Sequence, residues 1–283
     1  MNVETWHLLG QASPELFQAR LELHWALQVA AAVGFTFVPS KADLSHTNFG
    51  WSDQLGALVT HETPEGFRAG LRLADLTLLL MSKHQQIESS FALAGNTLED
   101  GYAWLERAIV GYPGRPSGRV LTRPDHQLPP HPVAEGSSFT REHPALFEEL
   151  ARWYANADAL LQRVGSAHPG AAPVRCWPHH FDIATLITLD EGKEPEAARS
   201  IGVGMTPGDG SYPEPYWYVT PWPYPATPLS TALEGQGKWH TEGWLGAVLP
   251  ASRLAPAPTA AQQASQVADF LRSAIAACEQ TLL

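Results

Sequence analysis

Residues 198–222 read ARSIGVGMTPGDGSYPEPYWYVTPW. Two runs rich in β-branched and aromatic residues, Ala198–Thr206 and Glu214–Trp222, flank Pro207-Gly208-Asp209-Gly210. Proline presets one turn dihedral, and glycine supplies the positive φ that other residues resist, so this stretch predicts a β-hairpin. Working outward, Val174–Leu189 and Lys238–Leu249 have the same strand character, and a closing helix is expected over roughly 259–280. The C-terminal half is thus expected to be an antiparallel sheet closed by a helix.

The N-terminal half mixes both element types. Ser13 and Pro14 open a helix over 14–33, whose apolar residues recur at helical spacing, with Gly34 as its expected stop. Gln54–Thr60, Phe67–Met81 and Ile87–Leu93 favour strands, although the leucine-rich middle run also suits a helix. Thr97 with Asp100 resembles a capping box for a helix over 98–110. Residues 111–144, rich in Pro and Gly, read as an irregular connection. An amphipathic helix is expected over 144–164, ended by Gly165, and 166–173 reads as a linker. A faint echo links SHTNFGWSDQLGAL (45–58) with HTEGWLGAVL (240–249), too short to establish a duplication.

Composition narrows the classes. The 283 residues carry 18 Lys+Arg against 29 Asp+Glu, a formal charge of −11, with 44% hydrophobic and 17% charged residues. A disordered chain would be poorer in apolar residues and richer in charge. With only four lysines, the chain is a poor neutraliser of phosphates, so no nucleic-acid partner is expected. No apolar run approaches the roughly 20 residues needed to span a bilayer, so no membrane partner is expected either. The start of the chain lacks the pattern of a secretory signal, and two distant cysteines make no disulfide framework, so a cytoplasmic location is expected. Thiolate zinc sites are excluded for want of cysteines. Any metal would use His and carboxylates.

Side chains two apart along a strand share a face. If residues 174–189 form one continuous strand, His180 and Asp182 point the same way. Ser200, Gly202, Gly204 and Thr206 share one face of the next strand, and Glu214, Tyr216, Tyr218 and Thr220 one face of the third. His240 and Glu242 share a face of the fourth. Pairing these strands gives a sheet with one apolar and one polar face. The polar face gathers His, Asp, Glu and Tyr around a bare patch at Gly202 and Gly204, where glycine marks close approach of a ligand or another chain segment. Two chemistries suit the cluster. His180, Asp182 and His240 match the two-His, one-carboxylate pattern of catalytic zinc or non-haem iron. Alternatively, Asp182 or Glu242 pairs with a His as base and Tyr serves as acid. The plain alternative is a set of polar residues satisfying one another in a strand-rich core.

The aromatic run Tyr212–Tyr224 (YPEPYWYVTPWPY) suits a small-molecule wall, with Tyr216, Tyr218 and Trp222 as candidates beside Gly202, Gly204 and Glu214. It equally suits an edge strand. His24 and Gln28 share a helix face and read as core or cap residues, and His46 reads as a turn cap. The remaining histidines, at 7, 61, 84, 126, 131, 143 and 168, read as surface. No Walker loop, G-x-S-x-G elbow, HExxH helix or EF-hand loop is present, and Gly202-Val203-Gly204 lacks the helix of a dinucleotide fingerprint.

CWPHHFDIATL (176–186), GVGMTPGDGSYPEPYWY (202–218) and WHTEGWLGAVLP (239–250) together resemble the C-terminal half of bacterial proteins grouped as domain of unknown function 5996. Leu23-His24 with Gln28, the His46 loop and the strand–helix succession over 67–110 resemble its first half more loosely. The resemblance implies a shared fold and supplies no activity. The His pair before Phe-Asp and the His of His-Thr-Glu are not common to all relatives, which makes Asp182 the steadier candidate.

The expectation is therefore an α+β protein of antiparallel sheets packed with helices, in two strand-plus-helix halves, 1–165 and 166–283. It is expected to be a metal-dependent or acid–base enzyme acting on a small molecule, with zinc or iron as the candidate cofactor. Its catalytic residues would be Asp182, His180 and Glu242. The alternative is a non-catalytic protein that binds a small molecule or partner through the aromatic Pro-rich strand.

Overall fold

A computed structural model describes residues 6–114, 119–190, 192–193, 197–226, 229–254 and 256–283. Helix α1 (Pro14–Phe37) is buried on most sides, as its nearly all-round apolar sequence requires. It runs through Gly34 rather than stopping there. A Cβ at Gly34 would lie 3.1 Å from Thr47 Cα and 3.2 Å from the His46 carbonyl, so this glycine admits a neighbouring backbone.

Five strands follow: β1 (Phe49–Ser52), β2 (Ala57–Thr60), β3 (Phe67–Arg72), β4 (Thr77–Ser82) and β5 (Ile87–Ala92). The ambiguous run 67–81 resolves into two strands. A 3-10 turn over Leu73–Asp75 separates them, Leu76 takes φ 52°, and Arg72 clasps the Asp75 carboxylate at 2.7–3.0 Å. Helix α2 (Leu98–Gly111) opens with the expected capping box of Thr97 and Asp100. Helix α3 (Pro144–Ala167) continues past Gly165. Then come β6 (Arg175–Trp177), β7 (Asp182–Thr188), β8 (Ser200–Thr206), β9 (Tyr216–Trp222), β10 (Lys238–His240), β11 (Gly246–Pro250), the short α4 (Ala251–Leu254) and α5 (Ala260–Leu282).

The class is α+β, and the described pairings between the named strands are antiparallel. The chain divides into two units: residues up to Pro14 with Arg152–Arg175 and Asp182–Leu283, and Glu15–Ala151 with Cys176–Phe181. The expected boundary at 165/166 lies inside the Arg152–Arg175 segment of the first. In the second unit, β1 to β5 pair in chain order, and Phe49 of β1 also pairs with Cys176. In the first unit the strand order is β7-β8-β9-β11-β10.

Two expected strands prove to be two pieces each. Val174–Leu189 breaks at a turn over 178–181: Pro178 has no N–H to donate to a ladder, Phe181 takes φ 61°, and its N–H closes onto the Trp177 carbonyl at 2.7 Å. Lys238–Leu249 breaks around Gly243, at φ 82°. The expected 198–222 hairpin forms, with a register that runs from Ser200 opposite Trp222 to Thr206 opposite Tyr216. The inner face of this sheet carries Ile183, Ile187, Ile201, Val203, Met205, Trp217 and Val219, all buried, with α5 packed on β8, β9 and β11. No helix among the described residues is long and apolar enough to cross a membrane.

Candidate functional site

The opposite face of β7–β11 is the polar face expected from the sequence, and the register sets it out in rows. Thr206 and Tyr216 form one row, with Asp182 at the β7 end. Ala184, Gly204, Tyr218, Val248 and Lys238 form the next. Leu186, Gly202, Thr220, Gly246 and His240 form the third, and Thr188, Ser200 and Trp222 the fourth. Asp182, Gly202, Gly204, Tyr216, Tyr218, Trp222 and His240 therefore share one face.

At its centre the Tyr218 phenol donates to Asp182 Oδ2 at 2.5 Å. Gly204 makes this possible. A Cβ there would sit 2.5 Å from the phenol oxygen and 2.9 Å from Ala184 Cβ, so the bare residue leaves the gap through which Tyr218 crosses β8 to β7. The close approach expected at the glycines is thus made by a side chain. Both Asp182 and Tyr218 are half-buried, and Asp182 Oδ1 is shielded from solvent. A hydrogen bond from a phenol to a carboxylate is charge-assisted and stronger than one between neutral groups.

Around this pair lies a second tier of contacts that sequence reading did not single out. Tyr216 is buried and donates to Asp209 Oδ2 at 2.6 Å. Burial first, then the Asp209 hydrogen bond and charge, push its phenol well above the usual tyrosine range, so it stays a neutral donor. Asp209 also accepts from the N–H groups of Ser211 and Tyr212, which fixes the hairpin turn. His240 Nε2 faces the Glu242 carbonyl at 2.8 Å and must donate to it. In the neutral imidazole, Nδ1 then accepts from the Tyr212 hydroxyl at 3.0 Å. The Trp244 ring lies 4.3 Å from that of His240, and the Lys238 ammonium sits 4.9 Å over the Tyr212 ring. Tyr212 and Asp209 were visible as part of the hairpin, but nothing in their spacing marked these partners.

Three expected site residues lie elsewhere. Glu214 caps α4, accepting from the Ser252 N–H at 2.6 Å and hydroxyl at 2.9 Å. Glu242 is exposed in the β10–β11 turn, and it is its backbone that meets His240. His180 sits in the 178–181 turn. With the strand broken there, the alternation that put it beside Asp182 does not apply. Among the described residues no three His, Cys, Asp or Glu side chains stand where one ion could hold them, so His180, Asp182 and His240 do not form the expected ligand set.

His180 instead joins a histidine cluster in the second unit. Its ring is 4.1 Å from that of His179, which is 5.6 Å from that of His126. The turn is anchored from α1: His24 Nε2 and Gln28 Nε2 each donate to the Pro178 carbonyl at 2.9 Å. The His24 ring stacks on Phe181, 5.1 Å between centroids. The Gln28 amide oxygen accepts from His126 Nδ1 at 2.8 Å, so His126 is not the surface residue its Pro-rich context suggested. Burial, then the Arg20 charge, lowers His24 to about 3. Desolvation, then His180 and His126, lowers His179 to about 4. His46 is a turn cap, as expected, accepting from the Lys41 N–H at 3.2 Å.

Comparison with known proteins finds no matching family model, no curated relative and no similar solved structure.

Proposed function

We propose that this protein acts on a small molecule at the outer face of β7–β9, by acid–base chemistry, with Asp182 as base and Tyr218 as its proton-donating partner. The observation that carries this reading is the 2.5 Å Tyr218–Asp182 hydrogen bond made across Gly204, in a half-buried position. As substrate charge develops, the Tyr218 phenol donates to it while Asp182 takes up a proton. A positioned pair of this kind contributes about 10²- to 10⁴-fold to rate. The metal-dependent form of the reading has no three-residue ligand set to support it among the described residues, so the metal-free form is preferred. A cytoplasmic setting fits two buried cysteines, Cys176 and Cys278, neither of them in a disulfide. The resemblance to the domain of unknown function 5996 proteins bears on the fold alone.

The test is turnover of a metabolite extract, followed by mass spectrometry, with wild type, Asp182→Asn and Tyr218→Phe. The reading expects at least one metabolite to change with wild type and to persist with both variants. Equal turnover by all three proteins would reject it. A second reading, binding without catalysis, is favoured by one feature: Trp222 and Tyr224 are each 49% exposed, their rings 6.0 Å apart. It expects retention of a compound without turnover.

A further inference from the structure

Tyr212 is held against a proton acceptor by groups that the Asp182–Tyr218 pair does not use. It stands in the loop between β8 and β9. There its N–H donates to Asp209 Oδ1 at 3.1 Å, and its carbonyl accepts from the Asp209 N–H at 2.8 Å. Its side chain meets β10. Lys238 and His240 lie two apart on that strand, so both point to one face. His240 Nδ1 is 3.0 Å from the Tyr212 hydroxyl, and the Lys238 ammonium is 4.9 Å from the centre of the Tyr212 ring. The other imidazole nitrogen is engaged: Nε2 donates to the Glu242 carbonyl at 2.8 Å, in the turn where Gly243 takes φ 82°. In the neutral imidazole this leaves Nδ1 as acceptor and the Tyr212 hydroxyl as its donor. Trp244 packs on the imidazole at 4.3 Å and is tied by its indole N–H to Ser211 Oγ at 3.2 Å. Nucleophile, base and orienting group thus stand in series, the arrangement that activates a hydroxyl for covalent chemistry.

Tyr212, Tyr216 and Tyr218 each donate to a base, but the bases differ. Tyr216 faces the Asp209 carboxylate and Tyr218 that of Asp182. Free phenol, imidazole and carboxyl groups titrate near about 10, 6.5 and 3.9, so an imidazole is the better acceptor of a phenolic proton by roughly 400-fold. Transfer to His240 leaves a phenolate against an imidazolium, opposite charges in contact, with the Lys238 ammonium over the same ring. The surroundings also select the electrophile. Lys238 is the one cation among the described contacts of Tyr212 and His240, Asp209 lies on the other side of Tyr212, and the whole chain carries a formal charge of −11. A phosphoryl or sulfuryl donor would meet too little positive charge there, whereas a neutral carbonyl compound meets no repulsion. Ser211 and Pro213 on one side, and Thr241, Glu242 and Gly243 on the other, are exposed, so the pair lies at the surface.

We propose that Tyr212 is a nucleophile that accepts an acyl group from a neutral acyl donor, with His240 as its general base. The phenolic oxygen bonds to the carbonyl carbon as its proton passes to His240 Nδ1. The tetrahedral adduct then collapses by breaking the bond to the leaving group, which takes the proton back from the imidazolium. The product is an O-acyl tyrosine, His240 returns to its neutral form, and no oxidant or reductant is consumed. This is a second site, and it does not rest on the reading of Asp182 and Tyr218.

The test uses N-acetylimidazole, a small neutral acyl donor, on the intact protein. Peptide mass spectrometry reads the initial rate of O-acetylation at each tyrosine, and release by hydroxylamine marks the phenyl esters. Tyr224 is the internal reference. It is 49% exposed while Tyr212 is partly buried, so access alone makes Tyr224 the faster of the two. The proposal expects the reverse order. His240→Gln keeps a donor and an acceptor but takes up no proton. It should slow Tyr212 by at least about tenfold, since a positioned base contributes about 10²-fold or more, and leave Tyr224 unchanged. Tyr212 reacting no faster than Tyr224 in wild type, or a smaller loss in His240→Gln, overturns the proposal. The first comparison is made within one wild-type molecule, so it holds whether or not the variant folds. Neither outcome involves turnover of the metabolite extract, so the acid–base reading stands or falls separately.

Discussion

Gly204 and Tyr218 are the residues on which the site turns. Gly204→Ala puts a Cβ 2.5–2.9 Å from the Tyr218 phenol and Ala184, closer than such atoms approach, so Tyr218 must leave Asp182. The expected cost is about 1–3 kcal/mol, as for other overpacked positions. In a Tyr218→Ala background the part of that cost due to the phenol should vanish, leaving the contact with Ala184 Cβ. Urea denaturation of the four proteins reads the coupling, and equal costs in both backgrounds would contradict the geometry. Tyr218→Phe keeps the ring and removes the donor, with an expected loss of about 1–2 kcal/mol given that the pair is half-buried. The alternation rule identified the shared face of these residues. It did not identify their contact, because a strand pattern carries direction and not reach.

At the scale of elements, α1 and the 178–181 turn are coupled through His24 and Gln28. In an unfolded chain the imidazole takes a proton near 6.5, whereas folded His24 takes one only near 3 and His179 near 4. Between those limits the unfolded chain binds more protons, so stability is full above about pH 7 and falls as pH drops through 6.5. His24 alone sets a slope approaching 1.4 kcal/mol per pH unit within that window. Charges facing it include Arg20, His126 and His180. His24→Gln, which can still donate to Pro178 but does not titrate, should flatten the fall between pH 6 and 4. Parallel stability–pH curves for the two proteins would count against this account. Capping by Thr97 was readable from the sequence and offers a control: Thr97→Ala should cost about 1 kcal/mol at every pH.

At the scale of the molecule, the first unit is closed on itself by two buried amides. Asn156 of α3 exchanges two hydrogen bonds with the backbone of His7, both 2.8 Å. Gln263 of α5 does the same with Leu9, at 2.8 and 2.9 Å. These side chains pair the His7 and Leu9 backbone as a neighbouring strand would. Gln263→Leu strands the Leu9 N–H and C=O in a buried place and should cost roughly 2–4 kcal/mol. Hydrogen exchange should show loss of protection at Leu9 well before α5 is affected, and unchanged protection there would exclude the clamp. Nothing in the spacing of Asn156 or Gln263 distinguishes them from surface amides, since each sits on an amphipathic helix with polar neighbours.

The sequence by itself determined most element types, the 198–222 hairpin, the capping box of α2 and the two-faced character of the C-terminal sheet. Each of these follows from interactions between residues near in the chain or from the period-two geometry of strands. Only the tertiary structure decided where the long strands break, and with that break the alternation that set His180 beside Asp182 no longer applies. The break depends on Pro178 and on the positive φ of Phe181, and it is held by His24 and Gln28, 154 and 150 residues before Pro178. Gly34, Gly165 and Gly204 make the same point. Glycine reads locally as a stop or a gap, but whether a helix ends there, runs on or admits a neighbour depends on what packs against it.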